Sequence, residues 1–151
     1  MLILWGVKTL ENGTPILIHL LTQREQNGEV SQYEKEFPGR IFQMGSSIYL
    51  RYVEAKEPQE TTVTFKITED SSIHLTRKQN DLKLQLFFKD NHRISATYQT
   101  PYGLLPIETV TPNLRVILNE YPLAGHISVD YLLYNGQELL GKYKIRLQFT
   151  T

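Results

Sequence analysis

Between Gly125 and Phe149 the chain reads GHISVDYLLYNGQELLGKYKIRLQF. Ile127, Val129, Tyr131 and Leu133 recur at every second position. Tyr143, Ile145, Leu147 and Phe149 do the same, with Lys142, Lys144, Arg146 and Gln148 between them. A period of two with one polar face is the pattern of a half-buried antiparallel strand. Asn135-Gly136 between two such runs is a hairpin signal. Side-chain parity then constrains the loop. A two-residue Asn135-Gly136 turn would set Val129 opposite Lys142 and throw the two apolar sets onto opposite faces of the sheet. A three-residue turn, Tyr134-Asn135-Gly136, restores agreement. It predicts Tyr131 opposite Leu139, Val129 opposite Gly141 and Ile127 opposite Tyr143, with Gly141 a bend point in the last strand.

Upstream the same alternation returns in short runs. Ile48, Leu50 and Tyr52 share a face, as do Val63, Phe65 and Ile67, then Ile73, Leu75 and Arg77, then Leu82, Leu84, Leu86 and Phe88. Ile94, Ala96 and Tyr98 lead into Thr100-Pro101-Tyr102-Gly103, with proline second and glycine fourth as in a type I turn. Leu105, Ile107 and Thr109 follow; Pro112 marks a bulge, and Leu114, Val116 and Leu118 continue. Nearer the start, Trp5, Val7 and Thr9 alternate before Asn12-Gly13, and Ile16, Ile18 and Leu20 after it. A two-residue turn there would pair Val7 with Ile18 and Trp5 with Leu20. The run from Glu29 to Met44 is mostly polar and broken by Pro38-Gly39, which reads as a sheet edge guarded by charge and proline.

No segment carries a sustained helical period. Short strands spaced ~8–12 residues apart indicate an all-β sandwich or barrel. Sequential hairpins without a long crossover favour an antiparallel up-and-down barrel of about 8–10 strands, since closure removes the edges. Closure is expected to be incomplete near residues 29–44. The 151 residues make a single domain, 1–151, with residues 1–14 an additional strand or a leader.

Composition narrows the function classes. Sixteen basic and sixteen acidic side chains give zero formal net charge, and no Lys/Arg cluster stands in the sequence, which argues against nucleic-acid binding. There is no cysteine, so disulfides, thiolate metal sites and a cysteine nucleophile are excluded, and a reducing, cytoplasmic setting fits. No apolar run approaches the ~18 residues of a membrane span.

From about Pro15 onward the chain resembles the YwiB-like family of uncharacterised bacterial β-barrel proteins, whose fold is calycin-type (lipocalin-like). The residues that carry the resemblance are IYLRYVE at 48–54, TVTFKI at 62–67, IHLTR at 73–77, YQTPYGLLPIETVT at 98–111 and the 125–149 hairpin. The resemblance implies a calycin-like barrel and no reaction, because fold does not imply function. The glycine-x-tryptophan mark of secreted lipocalins is absent near the N-terminus.

Chaining the expected registers puts Tyr52, Val63, Arg77, Leu82, Tyr98 and Leu105 in one inward layer, with Glu54 two residues beyond Tyr52 on the same face. An arginine inside a barrel must be paired or hydrogen-bonded. Arg77 therefore ties strands together, as an arginine does in many calycins, or with Tyr52, Tyr98 and Glu54 it orients the polar end of a ligand in an apolar pocket. His19, His74, His92 and His126 have no metal-ligand spacing, and His74 and His126 point away from the core. No nucleophile elbow, phosphate loop or dinucleotide fingerprint is present, so no catalytic residue, metal or cofactor is assigned. The leading expectation is a non-catalytic barrel that binds a small apolar or amphipathic molecule. The alternative is a filled barrel acting as an interaction module, with a homo-oligomer as one form.

Overall fold

The structure, a computed structural model, describes residues 13–56 and 59–151. Ten strands run through them: β1 (Thr14–Gln26), β2 (Glu29–Met44), β3 (Ser47–Lys56), β4 (Gln59–Ile67) and β5 (Ile73–Gln79), then β6 (Leu82–Phe88), β7 (Arg93–Thr100), β8 (Gly103–Glu120), β9 (Leu123–Asn135) and β10 (Glu138–Thr150). Each strand pairs with its sequence neighbours, and β1 also pairs with β10, so the meander closes into an antiparallel barrel. The expected all-β, up-and-down, calycin-like barrel is what forms. The strand expected over Trp5–Thr9 lies outside the described residues. Both edges of β1 are occupied at its partner positions: Ile18 faces Phe37 on one side and Phe149 on the other.

The expected edge at residues 29–44 is corrected. β2 pairs with β1 from Glu29 to Ile41 and with β3 from Gly39 to Met44, which completes the closure. Its first part, Glu29–Pro38, is laddered to β1 but not to β3. That stretch keeps the edge character expected for it, in Glu34, Lys35, Glu36 and Pro38.

The C-terminal hairpin also differs from its expected register, for an identifiable reason. Asn135 pairs with Glu138 across a two-residue Gly136-Gln137 loop, and Gly136 has φ +63. Glycine with positive φ at the first central position suits a type II′ turn. The parity mismatch is absorbed downstream instead: the ladder slips between Leu139 and Gly141, leaving Leu140 as the extra residue of a β-bulge. Tyr131 therefore opposes Tyr143, not Leu139. Val129 opposes Ile145, not Gly141, and Ile127 opposes Leu147, not Tyr143. Gly141 does sit at the irregularity. A second slip between Val110 and Asn113 puts a bulge at Pro112, as its missing N–H requires.

Inward rows stack along the barrel axis. At one end Ile48, Ile67, Ile73 and Phe88 are direct cross-strand neighbours, and none is exposed. The next row, Leu50, Phe65, Leu75 and Leu86, is at most 5 % exposed. Large apolar side chains, nearly all out of contact with water, fill this half of the barrel. The row after it begins to open.

Candidate functional site

That third row is the polar layer expected from the sequence. Tyr52 faces Val63, and Val63 faces Arg77, as predicted. Arg77 faces Leu84 rather than Leu82, and Leu84 rather than Leu82 faces Tyr98. The β5–β6 hairpin is tighter than expected: Gln79 pairs with Leu82 across Asn80-Asp81, and Asn80 takes φ 49. A shift of two residues preserves parity, so Leu82 and Leu84 both still face inward. Tyr98 faces Leu105 as expected.

Within the layer Arg77 and Glu54 form a bidentate pair. Arg77 Nη1 donates to Glu54 Oε1 at 2.8 Å and Nη2 to Oε2 at 3.1 Å. The glutamate side chain is 11 % exposed and the arginine 36 %. Burial on its own would lower the Arg77 pKa; the hydrogen bonds it donates to Glu54 and the charge of Glu54 outweigh it and hold the guanidinium above its usual value. Tyr52 is 2 % exposed and stacks on Phe37 with ring centroids 4.6 Å apart. Burial, then the Glu54 charge, pushes its phenol well above the ordinary range. Tyr131, stacked on Tyr143 at 4.9 Å, is raised in the same way by burial and by Tyr143. These phenols are neutral donors at physiological pH.

Two hollows meet at Arg77. The inner one, about 190 Å³, lies among Tyr52, Phe65, Leu86, Tyr131, Tyr143 and Arg77. The outer one, about 460 Å³, forms the mouth of the barrel, where Leu82, Leu84, Tyr98, Leu105, Leu133 and Leu140 surround Arg77. Leu105 is 48 % exposed there, so the mouth presents apolar surface to solvent. Of the four residues singled out from sequence, Arg77 and Glu54 are in direct contact. Tyr52 lines the inner hollow and Tyr98 the outer one, with Arg77 as the wall between them.

Sequence reasoning missed Tyr33. Its phenol is raised by burial and by the charge of Glu54, which places it beside the ion pair. Tyr33 lies four residues before buried Phe37, hence on the same strand face, but Lys35 between them masked the alternation. The histidines are dispersed. His19 Nε2 meets Glu34 at 2.6 Å on the outer surface, His74 packs edge-on against Phe87, His92 Nδ1 lies 2.8 Å from the Asp90 carbonyl, and His126 is exposed.

A family model described as Domain of unknown function (DUF1934) matches residues 18–147. The chain belongs to the DUF1934 family. The crystal structure of the ywiB protein from Bacillus subtilis is similar at 20 % sequence identity, with a TM-score of 0.78 and 97 % of each chain covered. At that identity the likeness speaks for the fold alone. Comparison with curated proteins gives no match. For this DUF1934 protein the shared property is the closed β-barrel, and no reaction or ligand comes with the family. No helix among its described residues is long and apolar enough to cross a membrane.

Proposed function

We propose that this DUF1934 barrel is a non-catalytic cup, filled at one end and open at the other, that takes a small amphipathic molecule at its mouth. The observation that carries this reading is the graded interior. Cross-strand rows are fully buried at one end and give way, past Arg77, to a 460 Å³ hollow walled by leucines and Tyr98. That volume lies in the usual range for ligand pockets, roughly 300–1,000 Å³, which are apolar with a few converging polar groups. The inner hollow falls below the range, so the ligand's apolar part sits at the mouth. Because Glu54 already neutralises Arg77, the polar end favoured is a hydroxyl, amide or carbonyl, which the phenols and the spare guanidinium N–H can meet. With no cysteine in the chain, the protein suits a reducing cytoplasm.

Native mass spectrometry of protein purified from its own host tests this directly. A retained small molecule is expected in the native protein, and Leu105→Trp, which fills the mouth, should lose it while remaining folded. Undiminished retention by the filled variant would refute the site. A second reading, an interaction module, is favoured by the Glu29–Pro38 stretch of β2 left unladdered on its β3 side. It predicts association through that edge. A molecular mass that stays monomeric from micromolar to millimolar concentration, with nothing co-purifying, would rule it out.

A further inference from the structure

Zero net charge conceals a segregation that folding creates. On the outer face of β2–β6, residues facing away from the core form rows directly opposite one another. One row runs Phe42, Tyr49, Lys66, His74, Phe87. The next begins Arg40, Arg51, Thr64, Thr76. The third runs Val53, Thr62, Lys78, Lys83 and reaches Gln99 on β7. These rows contain five Lys and Arg and no Asp or Glu. Of the nearby acids, Glu60, Asp70 and Asp81 stand at strand ends and in turns, while Glu34 and Glu36 lie further along the outer face of β2, beyond Pro38, with Glu34 held by His19.

Two features of this face run against what stability alone would favour. Arg40 lies directly opposite Arg51, and Lys78 directly opposite Lys83; like charges in that position destabilise a sheet. Among the described residues none of these four side chains is within ion-pairing distance of a carboxylate. Arg40 reaches the Gly13 carbonyl, and Arg51 reaches Thr64 Oγ1. The aromatic row beside them is organised with the cations. Phe42 and Tyr49 stack almost parallel, 5.0 Å apart, with the Arg51 guanidinium 5.0 Å from the Phe42 ring and the Lys66 ammonium 5.8 Å from Tyr49. A groove of about 760 Å³ follows the β2–β3 side, lined by Pro38, Arg40, Phe42, Arg51 and Val53 among others.

We infer that this face binds single-stranded nucleic acid. Charge complementarity calls for an anionic partner, and the aromatic row selects among anions. An acidic polypeptide needs only the cations, whereas a single strand uses cations for its phosphates and rings for its bases. Five strands at ~4.8 Å spacing give the face a width of about 19 Å, enough for several nucleotides. The site is on the outside of the barrel and stands apart from the mouth.

The test is fluorescence anisotropy of the full chain with a labelled 12-nucleotide oligouridine between 50 and 200 mM salt. Five phosphate contacts predict a slope of log K against log salt of about −3.5, hence roughly 100-fold weaker binding across that range. Lys78→Glu with Lys83→Glu should reduce the slope to about −2, and Arg115→Glu on β8 should leave binding unchanged. Tyr49→Thr should weaken oligouridine binding without altering capture of polyglutamate. Circular dichroism of each variant confirms that the barrel is intact. No binding at 50 mM salt overturns the inference. So does an equal loss in Arg115→Glu, or polyglutamate displacing the oligonucleotide at equal charge concentration, which would assign the face to an acidic polypeptide.

Discussion

Removing Arg77 while leaving Glu54 in place is the sharpest perturbation of the barrel mouth. In Arg77→Leu a carboxylate only 11 % exposed loses the two N–H donors of the guanidinium. Breaking a fully buried pair costs about 3–5 kcal/mol, because the surviving charge stays desolvated. Water reaches the Arg77 side of this pair, since its side chain is 36 % exposed, so the expected loss at pH 7 is smaller, about 2–3 kcal/mol. For a domain of this size that lowers Tm by about 5–10 °C. Glu54→Leu should cost less, about 1–2 kcal/mol, because the freed guanidinium can turn towards the solvent in the mouth. The double leucine variant should come within about 1 kcal/mol of the wild type, since replacing both partners with apolar groups removes the stranded charge. Urea unfolding of the four proteins at pH 7 measures all of this. A double variant no more stable than Arg77→Leu would refute the account of a stranded charge.

Three further outcomes follow from the geometry. A Cβ on Gly39 would lie 2.7 Å from the Arg51 carbonyl and 2.8 Å from Ile18 Cδ1, so Gly39→Ala should lower stability by about 1–3 kcal/mol in urea melts, the cost of overpacking. Gly136→Val puts a β-branched residue at φ +63 and should cost on the order of 1–3 kcal/mol; a neutral result would mean that the turn relaxes to another type. Hydrogen bonds from Thr68 and Ser72 hold the Asp70 carboxyl down at about 2. Its folded value lies below its unfolded one, so its contribution is complete above about pH 4 and is lost as pH falls towards 2. Asp70→Asn should flatten that acid limb in thermal melts, and an unchanged acid limb would contradict the assignment.

The fold was legible because this chain alternates cleanly wherever one face is buried. Ile48 to Tyr52, Val63 to Ile67 and Ile127 to Leu133 all hold the face that period two assigns. Registers were legible only to within the slack that parity leaves. At the C-terminal hairpin an odd mismatch demanded one extra residue, and local pattern could not tell a longer loop from a bulge at Leu140. At the β5–β6 turn an even error of two residues passed unnoticed, because it moves no side chain across the sheet. The Arg77–Glu54 contact was readable from parity, whereas Tyr33 was hidden by the charges that protect its strand. The positive outer face could not be read from composition, because its cations lie from Arg40 to Lys83 in sequence and meet only across four ladders.

The closing of β1 onto β10 bears on the order of assembly. Every other ladder joins strands consecutive in sequence, so each can grow from a tight turn; this one must bring Leu17 to Thr150 across nearly the whole chain. Loop-closure entropy falls on that step, since contacts distant in sequence repay the chain only after the intervening structure has shortened the path. The expected sequence of events is a curling meander that locks once, with the β1–β10 seam last to form and first to open. Pulse-labelled hydrogen exchange can follow it, and seam amides protected before those of the β3–β4 or β9–β10 hairpins would reverse the order. Mutations along the seam should then govern how long the barrel stays shut more than how fast its hairpins appear.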